Sequence, residues 1–325
     1  MTDALLQSYL PLFAWTGLGL IFSGSLPASL PRLLGRSLYW VGVPLEILAL
    51  ARQTNFAAEV GLAPLLIIAT LLSGFTIAWL VLQAMQSRLQ FQSVAAGLTA
   101  ENCSAVQPFC PAERGSFLIA SVLGNTSFVG LAIAPAFVGA DYWGWLVSYC
   151  VTQNVIGTYG TGVFLASYYG RQADHPQVKE LIKDVLTVPS LWAFLLGYST
   201  QSIPLPAIME SGLHGSIAFV IPAALLLMGT RLRQLQGWKS LKIAIVPMLL
   251  KTIALPGLLG LVTHFLALPQ PAQLALVLMA GMPSAFAGLI LAEEYEIDRS
   301  LIASSIVLTT GSCLLLIPLW LWLFG

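Results

Sequence analysis

The chain has 325 residues and a formal net charge of zero; 57% of its residues are hydrophobic and only 9% charged, with a mean hydropathy of +0.84. A soluble domain carries about 25% charged residues, so this composition excludes an ordinary water-soluble protein. Its scattered Lys and Arg residues leave no basic patch for nucleic acid.

An apolar helix needs about 20 residues to cross a bilayer. Hydropathy with Pro, Gly and charge punctuation predicts spans at 7–26, 37–52, 61–85, 114–138, 143–169, 187–204, 213–231, 240–267, 273–293 and 300–324. The fold class is therefore an all-α integral membrane protein of about ten transmembrane helices, with no sizeable soluble domain. Asp3 and the lack of a positive residue before the first apolar stretch argue against a removable signal, so span one is expected to remain.

Span two carries Pro44 and an intramembrane carboxyl, Glu46. Its two readings are a proton-coupling group and a neutral, hydrogen-bonded glutamic acid. The loop before span four holds Cys103 and Cys110; with Cys150 and Cys313 they lack both CxxC spacing and a His cluster. Free thiols, no metal site and no cofactor are expected, and a reducing compartment disfavours a disulfide in that loop.

Span four contains GNTSFVGLAIAPAF (Gly124 to Phe137), and GMPSAFAGLILAEEY (Gly281 to Tyr295) begins inside span nine and runs out of its end. Each places helix-breaking residues inside an apolar span. Backbone that leaves the helix within a bilayer must find partners in protein or in a water-filled cavity, so paired interruptions mark a transporter's substrate site. Asn125, Thr126 and Ser127 line the first break, with Pro135 beyond it; Met282, Pro283 and Ser284 occupy the second. A plain kink of packed helices is the alternative.

Gln153 and Asn154 in span five serve either as interhelical hydrogen-bonding glue or as crossover contacts. Lys251 lies about ten residues inside span eight, roughly 15 Å deep, too far to snorkel. It needs a partner: the negative half-helix ends, in place of a bound cation, or a substrate carboxylate. Glu293 and Glu294 read as a solvated helix end; His175, His214 and His264 fall in loops or at span edges.

All but two of the 14 Lys and Arg residues follow odd-numbered spans; Arg52 follows span two and Lys251 lies inside span eight. The positive-inside rule then puts those loops in the cytoplasm and both termini outside. Five spans per half invert the second half relative to the first. Two alignments agree with such a repeat: Ser37 to Leu48 parallels Ser216 to Leu227, and Gly124, Phe128, Gly130 and Leu131 parallel Gly281, Phe286, Gly288 and Leu289.

At GNTSFVGL (Gly124 to Leu131) and MPSAFAGLILAEEYEID (Met282 to Asp298) the chain resembles the auxin efflux carrier family of membrane permeases. That family includes plant auxin exporters and bacterial carriers for malate or malonate. Softer matches are Pro44, Pro222, the Gln153–Asn154 pair, and Lys251 followed by Pro256. Two departures stand out: Ala132 where the family often has Pro, and Ala287 near a position where Asn is common.

The resemblance implies a fold similar to sodium/proton antiporters and bile-acid symporters: two inverted five-helix repeats (1–169 and 187–325) with broken crossover helices in spans four and nine. Spans 1, 2, 6 and 7 would be a scaffold and spans 3–5 and 8–10 a transport domain, with a homodimer through the scaffold. The substrate would be a small organic anion, an auxin-like or dicarboxylate compound, crossing the plasma membrane (the inner membrane of a bacterium). A sodium-coupled bile-acid-type symporter, and a channel or non-transporting sensor, are the competing readings. No HExxH, GxSxG or close acidic pair lies within the spans, so no enzyme is expected.

Overall fold

The computed structural model describes residues 2–24, 27, 29–53, 61–95, 109–170, 178–232 and 238–325. Cys103, Arg171, His175 and Arg233 lie outside the described residues, as does the His214 side chain. Among the described residues every regular element is helical, and the one extended pairing is an isolated antiparallel bridge, Gly124 with Ser284.

The helices are α1 (Thr2–Phe22), α2 (Ser29–Ser37), α3 (Val43–Gln53), α4 (Leu62–Ala95), α5 (Pro111–Val122), α6 (Trp143–Thr152), α7 (Val163–Tyr169) and α8 (Val178–Leu186). They continue as α9 (Pro189–Ser199), α10 (Ala207–Leu232), α11 (Trp238–Leu249), α12 (Leu255–Phe265), α13 (Gln270–Ala280), α14 (Ala287–Tyr295) and α15 (Arg299–Phe324). Four π-helical stretches interrupt the regular ladder: Leu38–Gly42, Thr126–Gly130, Gln153–Gly162 and Leu250–Ala254. Among the described residues, five helical stretches are long and apolar enough to cross a membrane, namely Ser29–Arg52, Leu62–Arg88, Ala207–Thr230, Ser240–Phe265 and Arg299–Phe324. The chain is a multi-pass membrane protein.

Along α4, Ile67, Leu71, Ala78 and Leu82 are buried, and Leu65, Leu72 and Leu80 are exposed. The inward stripe follows helical spacing. The outward leucines carry no polar group, so hydrocarbon is the solvent that suits them. α13, by contrast, is buried from Ala272 to Ala280 and forms the axis of the core.

Two close helix pairs build one side of the molecule. α1 packs on α10, where a Cβ on Gly19 would overlap Leu226 O and one on Gly229 would overlap Thr16 O. Small residues let these backbones touch, the usual device for helix association in lipid. α3 packs on α9, where a Cβ on Gly197 would stand 2.8 Å from Leu48 O. Arg52 donates to Thr200 O, to Thr200 Oγ1 at 2.8 Å and to Ile203 O at 2.9 Å, and its guanidinium is 4.0 Å from Glu210. The lone basic residue after an even span thus satisfies carbonyls just past the end of α9, a structural task for a cation at a helix C-terminus.

The turn from α14 into α15 is tight. Glu296 takes the left-handed conformation (φ 61°), and Asp298 caps α15 by accepting the Leu301 N–H at 3.0 Å.

Candidate functional site

Helix α5 stops at Val122 and the chain restarts as the π-helical turn Thr126–Gly130. Asn125 caps the restart: its side chain accepts the Phe128 N–H at 3.3 Å. Helix α13 stops at Ala280, and the chain restarts as α14 at Ala287. Pro283 lies in that second gap and has no N–H to continue a helix.

The two gaps pair with each other. Asn125 N–H donates to Pro283 O at 2.7 Å, and Ala285 N–H donates to Leu123 O at 2.8 Å. Ser284 adds two links: its hydroxyl donates to Ala120 O at 2.7 Å, and its N–H donates to Thr309 Oγ1 of α15 at 2.9 Å. An unsatisfied backbone group in a bilayer costs several kcal/mol, so each broken helix supplies partners that the other lacks.

The remaining orphan groups fall into two sets. On the carbonyl side, Gly124 O accepts from Gln153 Nε2 at 2.7 Å, and Ala280 O accepts from the Lys251 ammonium. Lys251 is fully buried, and a Cβ on Gly124 would come 2.9 Å from its Cε and 3.0 Å from its Nζ. One ammonium therefore stands between the C-terminal ends of both half-helices. On the other side, the N–H groups of Thr126, Ser127, Phe286 and Ala287 have no hydrogen-bond partner among the described residues. They are the open, positive starts of two half-helices.

Further polar side chains converge on the first restart. Gln153 Nε2 also reaches Thr126 Oγ1 at 3.3 Å, and its Oε1 is buried without a partner. Asn154 Nδ2 donates to Ser127 Oγ at 2.6 Å and approaches Cys150 Sγ at 3.4 Å; Ser127 Oγ is 3.2 Å from Cys150 Sγ. Glu46 from α3 is fully buried with neither carboxyl oxygen in a hydrogen bond among the described residues, and it faces the Ser127 hydroxyl.

The structure thus brings Asn125, Thr126, Ser127, Pro283, Ser284, Gln153, Asn154 and Lys251 together around the crossing, with Glu46 beside Ser127. Met282 is buried and packs under Gly130 instead, where a Cβ would meet its Cγ at 3.3 Å. Pro135 stands apart, in the 3-10 turn Ala134–Ala136 at the far end of the restarted helix. Glu293 is held by Arg299 at 2.8 Å, and His264 is exposed at the end of α12.

Sequence reasoning missed Thr309 and Cys150, which sit in ordinary apolar helices and become partners only through packing. Among the described residues no three His, Cys, Asp or Glu side chains gather as a metal site.

No protein-family model matches the chain. It is 26% identical over 218 residues to a protein of Methanocaldococcus jannaschii named an uncharacterized transporter, a match covering 65% of this chain and 68% of that relative. It is 25% identical over 203 residues to an uncharacterized transporter of Methanothermobacter thermautotrophicus, covering 62% of this chain and 65% of that relative. This chain is a multi-pass membrane protein similar to transporters.

Proposed function

We propose that this chain is a secondary carrier of the auxin efflux carrier type, moving a small organic anion across the plasma membrane by alternating access. It would do so with ten crossings in two inverted halves, a scaffold of spans 1, 2, 6 and 7, and a homodimer through that scaffold. The observation that carries the reading is the mutual pairing of two broken helices at Gly124 and Ser284, with open N–H groups at both restarts.

Charge arithmetic narrows the ligand. Each half-helix end carries about half an elementary charge, so two negative ends match the single ammonium of Lys251. Two positive ends likewise match one carboxylate. A sodium-coupled symporter would place a cation at the negative ends, where Lys251 already donates to Ala280 O; sodium is therefore dispensable in this reading.

The helix pairing supports the repeat. Exchanging halves turns span one into six and span two into seven, so the packing of α1 on α10 and of α3 on α9 are equivalent contacts under that exchange.

The test is uptake of labelled malate, malonate and indole-3-acetate into proteoliposomes, with and without pH, sodium and voltage gradients. Saturable uptake of one anion without sodium is expected. A strict sodium requirement, or no carboxylate uptake by folded protein, would count against the proposal.

A further inference from the structure

A cleft of about 340 Å³ opens between α2 and α14, lined by Arg32, Arg36, Tyr39, Glu293, Glu294 and Arg299. Arg299 is neutralised by Glu293 at 2.8 Å, whereas Arg32 and Arg36 have no ion pair among the described residues. These arginines belong to loops after spans one and nine, the side that the basic residues mark as inner.

Tyr39 is the buried part of that lining, at 7% exposure, and its ring meets Tyr159 edge-on with centroids 5.8 Å apart. Tyr159 is 1% exposed and lies within electrostatic range of Glu46 and Cys150. Those two groups, with Ser127 and Asn154, form a buried polar cluster beside the crossing. The two rings therefore stand between the open cleft and that cluster.

Both tyrosines stand on π-helical turns, Leu38–Gly42 and Gln153–Gly162. Such turns are rare, and they concentrate at functional sites where the i→i−4 ladder is already interrupted. A side chain on one can swing without breaking a regular helix.

We propose that Tyr39 and Tyr159 form the inner gate of this protein, closing the charged cleft off from the buried polar cluster of Glu46, Ser127, Cys150 and Asn154. Resting on the carrier reading above, the cleft is where an organic anion waits, with Arg32 and Arg36 as its countercharge. The polar cluster beside the crossing becomes accessible to it when the rings part.

Cys150 is a built-in reporter, because this buried thiol reacts with a charged reagent only when the gate admits it. In a background of Cys103→Ser, Cys110→Ser and Cys313→Ala, a membrane-impermeant sulfonated methanethiosulfonate is applied to either face of oriented vesicles. Tyr39→Ala and Tyr159→Ala are expected to raise the labelling rate of Cys150 at least tenfold from the cleft side alone. Tyr39→Phe and Tyr159→Phe should label as slowly as the background. No rise in folded alanine variants, or an equal rise from both faces, overturns the gate. Should an alanine variant fail to fold, Tyr39→Val and Tyr159→Val remove the ring while leaving a smaller void, and a rise from the cleft side alone is expected of them too. The assay contains no substrate, so a protein that carries none of the tested anions can still pass it, and a carrier gated elsewhere still fails it.

Discussion

At the residue scale, two side chains separate holding the break together from using it. Asn125 contributes its backbone N–H to the bridge and its side chain to the Phe128 N–H. Asn125→Ala keeps the first and loses the second, about 1 kcal/mol of capping, while removing a polar group beside the open N–H groups. The expected result is folded protein, by elution profile and thermal melt, with transport abolished in the uptake assay. Gly124 tests the cation. An added Cβ would press on Lys251 at 2.9 Å, so Gly124→Ala should cut transport at least tenfold. Gly139→Ala, with nothing within 4 Å of its new Cβ, should leave it unchanged. The break motifs themselves were legible, because Gly, Asn and Pro inside an apolar run have few other uses. The role of Gln153 was not, since glue and crossover contact look alike until its amide is seen on Gly124 O.

At the element scale, five long apolar helical stretches stand where hydropathy puts spans, yet the interruptions of the helices do not follow from it. Pro11, Pro222, Pro247 and Pro318 all sit inside continuous helices, whereas Lys251 and Gln153 stand on π-helical stretches that contain no proline. A π turn depends on what the displaced backbone meets in neighbouring helices, so no local pattern announces it. The α1–α10 pair makes a sharper forecast. Gly19→Ala and Gly229→Ala force a Cβ into the opposite backbone, and overpacking costs about 1–3 kcal/mol. Both should lower the thermal midpoint in detergent. Gly17→Ala and Gly212→Ala, on the same two helices with open space around the new Cβ, should hold or raise it, because Ala replaces a poor helix former.

At the scale of the whole molecule, orientation is the testable quantity. The distribution of basic residues over the expected spans predicts that both termini lie outside, and the shared lining of Arg32, Arg36 and Arg299 in one cleft places those three arginines on one side. A cysteine added after Gly325 should therefore react with an impermeant thiol reagent from outside intact cells. Reaction only after permeabilisation would reverse the topology and, with it, the side on which the proposed gate opens. The one apparent exception to the charge bias, Arg52, is explained by its carbonyl partners beyond α9.

What the sequence by itself determined was the solvent: apolar composition, span-length hydropathy and the distribution of Lys and Arg follow from transfer free energies that each residue carries wherever it is placed. It also marked two candidate breaks, where Gly, Asn and Pro stand inside apolar runs, although proline alone does not break four other helices. Only the tertiary structure decided that the two breaks satisfy each other, that Lys251 and Gln153 serve one carbonyl end each, and that two tyrosines from distant spans meet edge-on. Those outcomes depend on hydrogen bonds and contacts between residues far apart in the chain, and such partners exist only once the helices are packed.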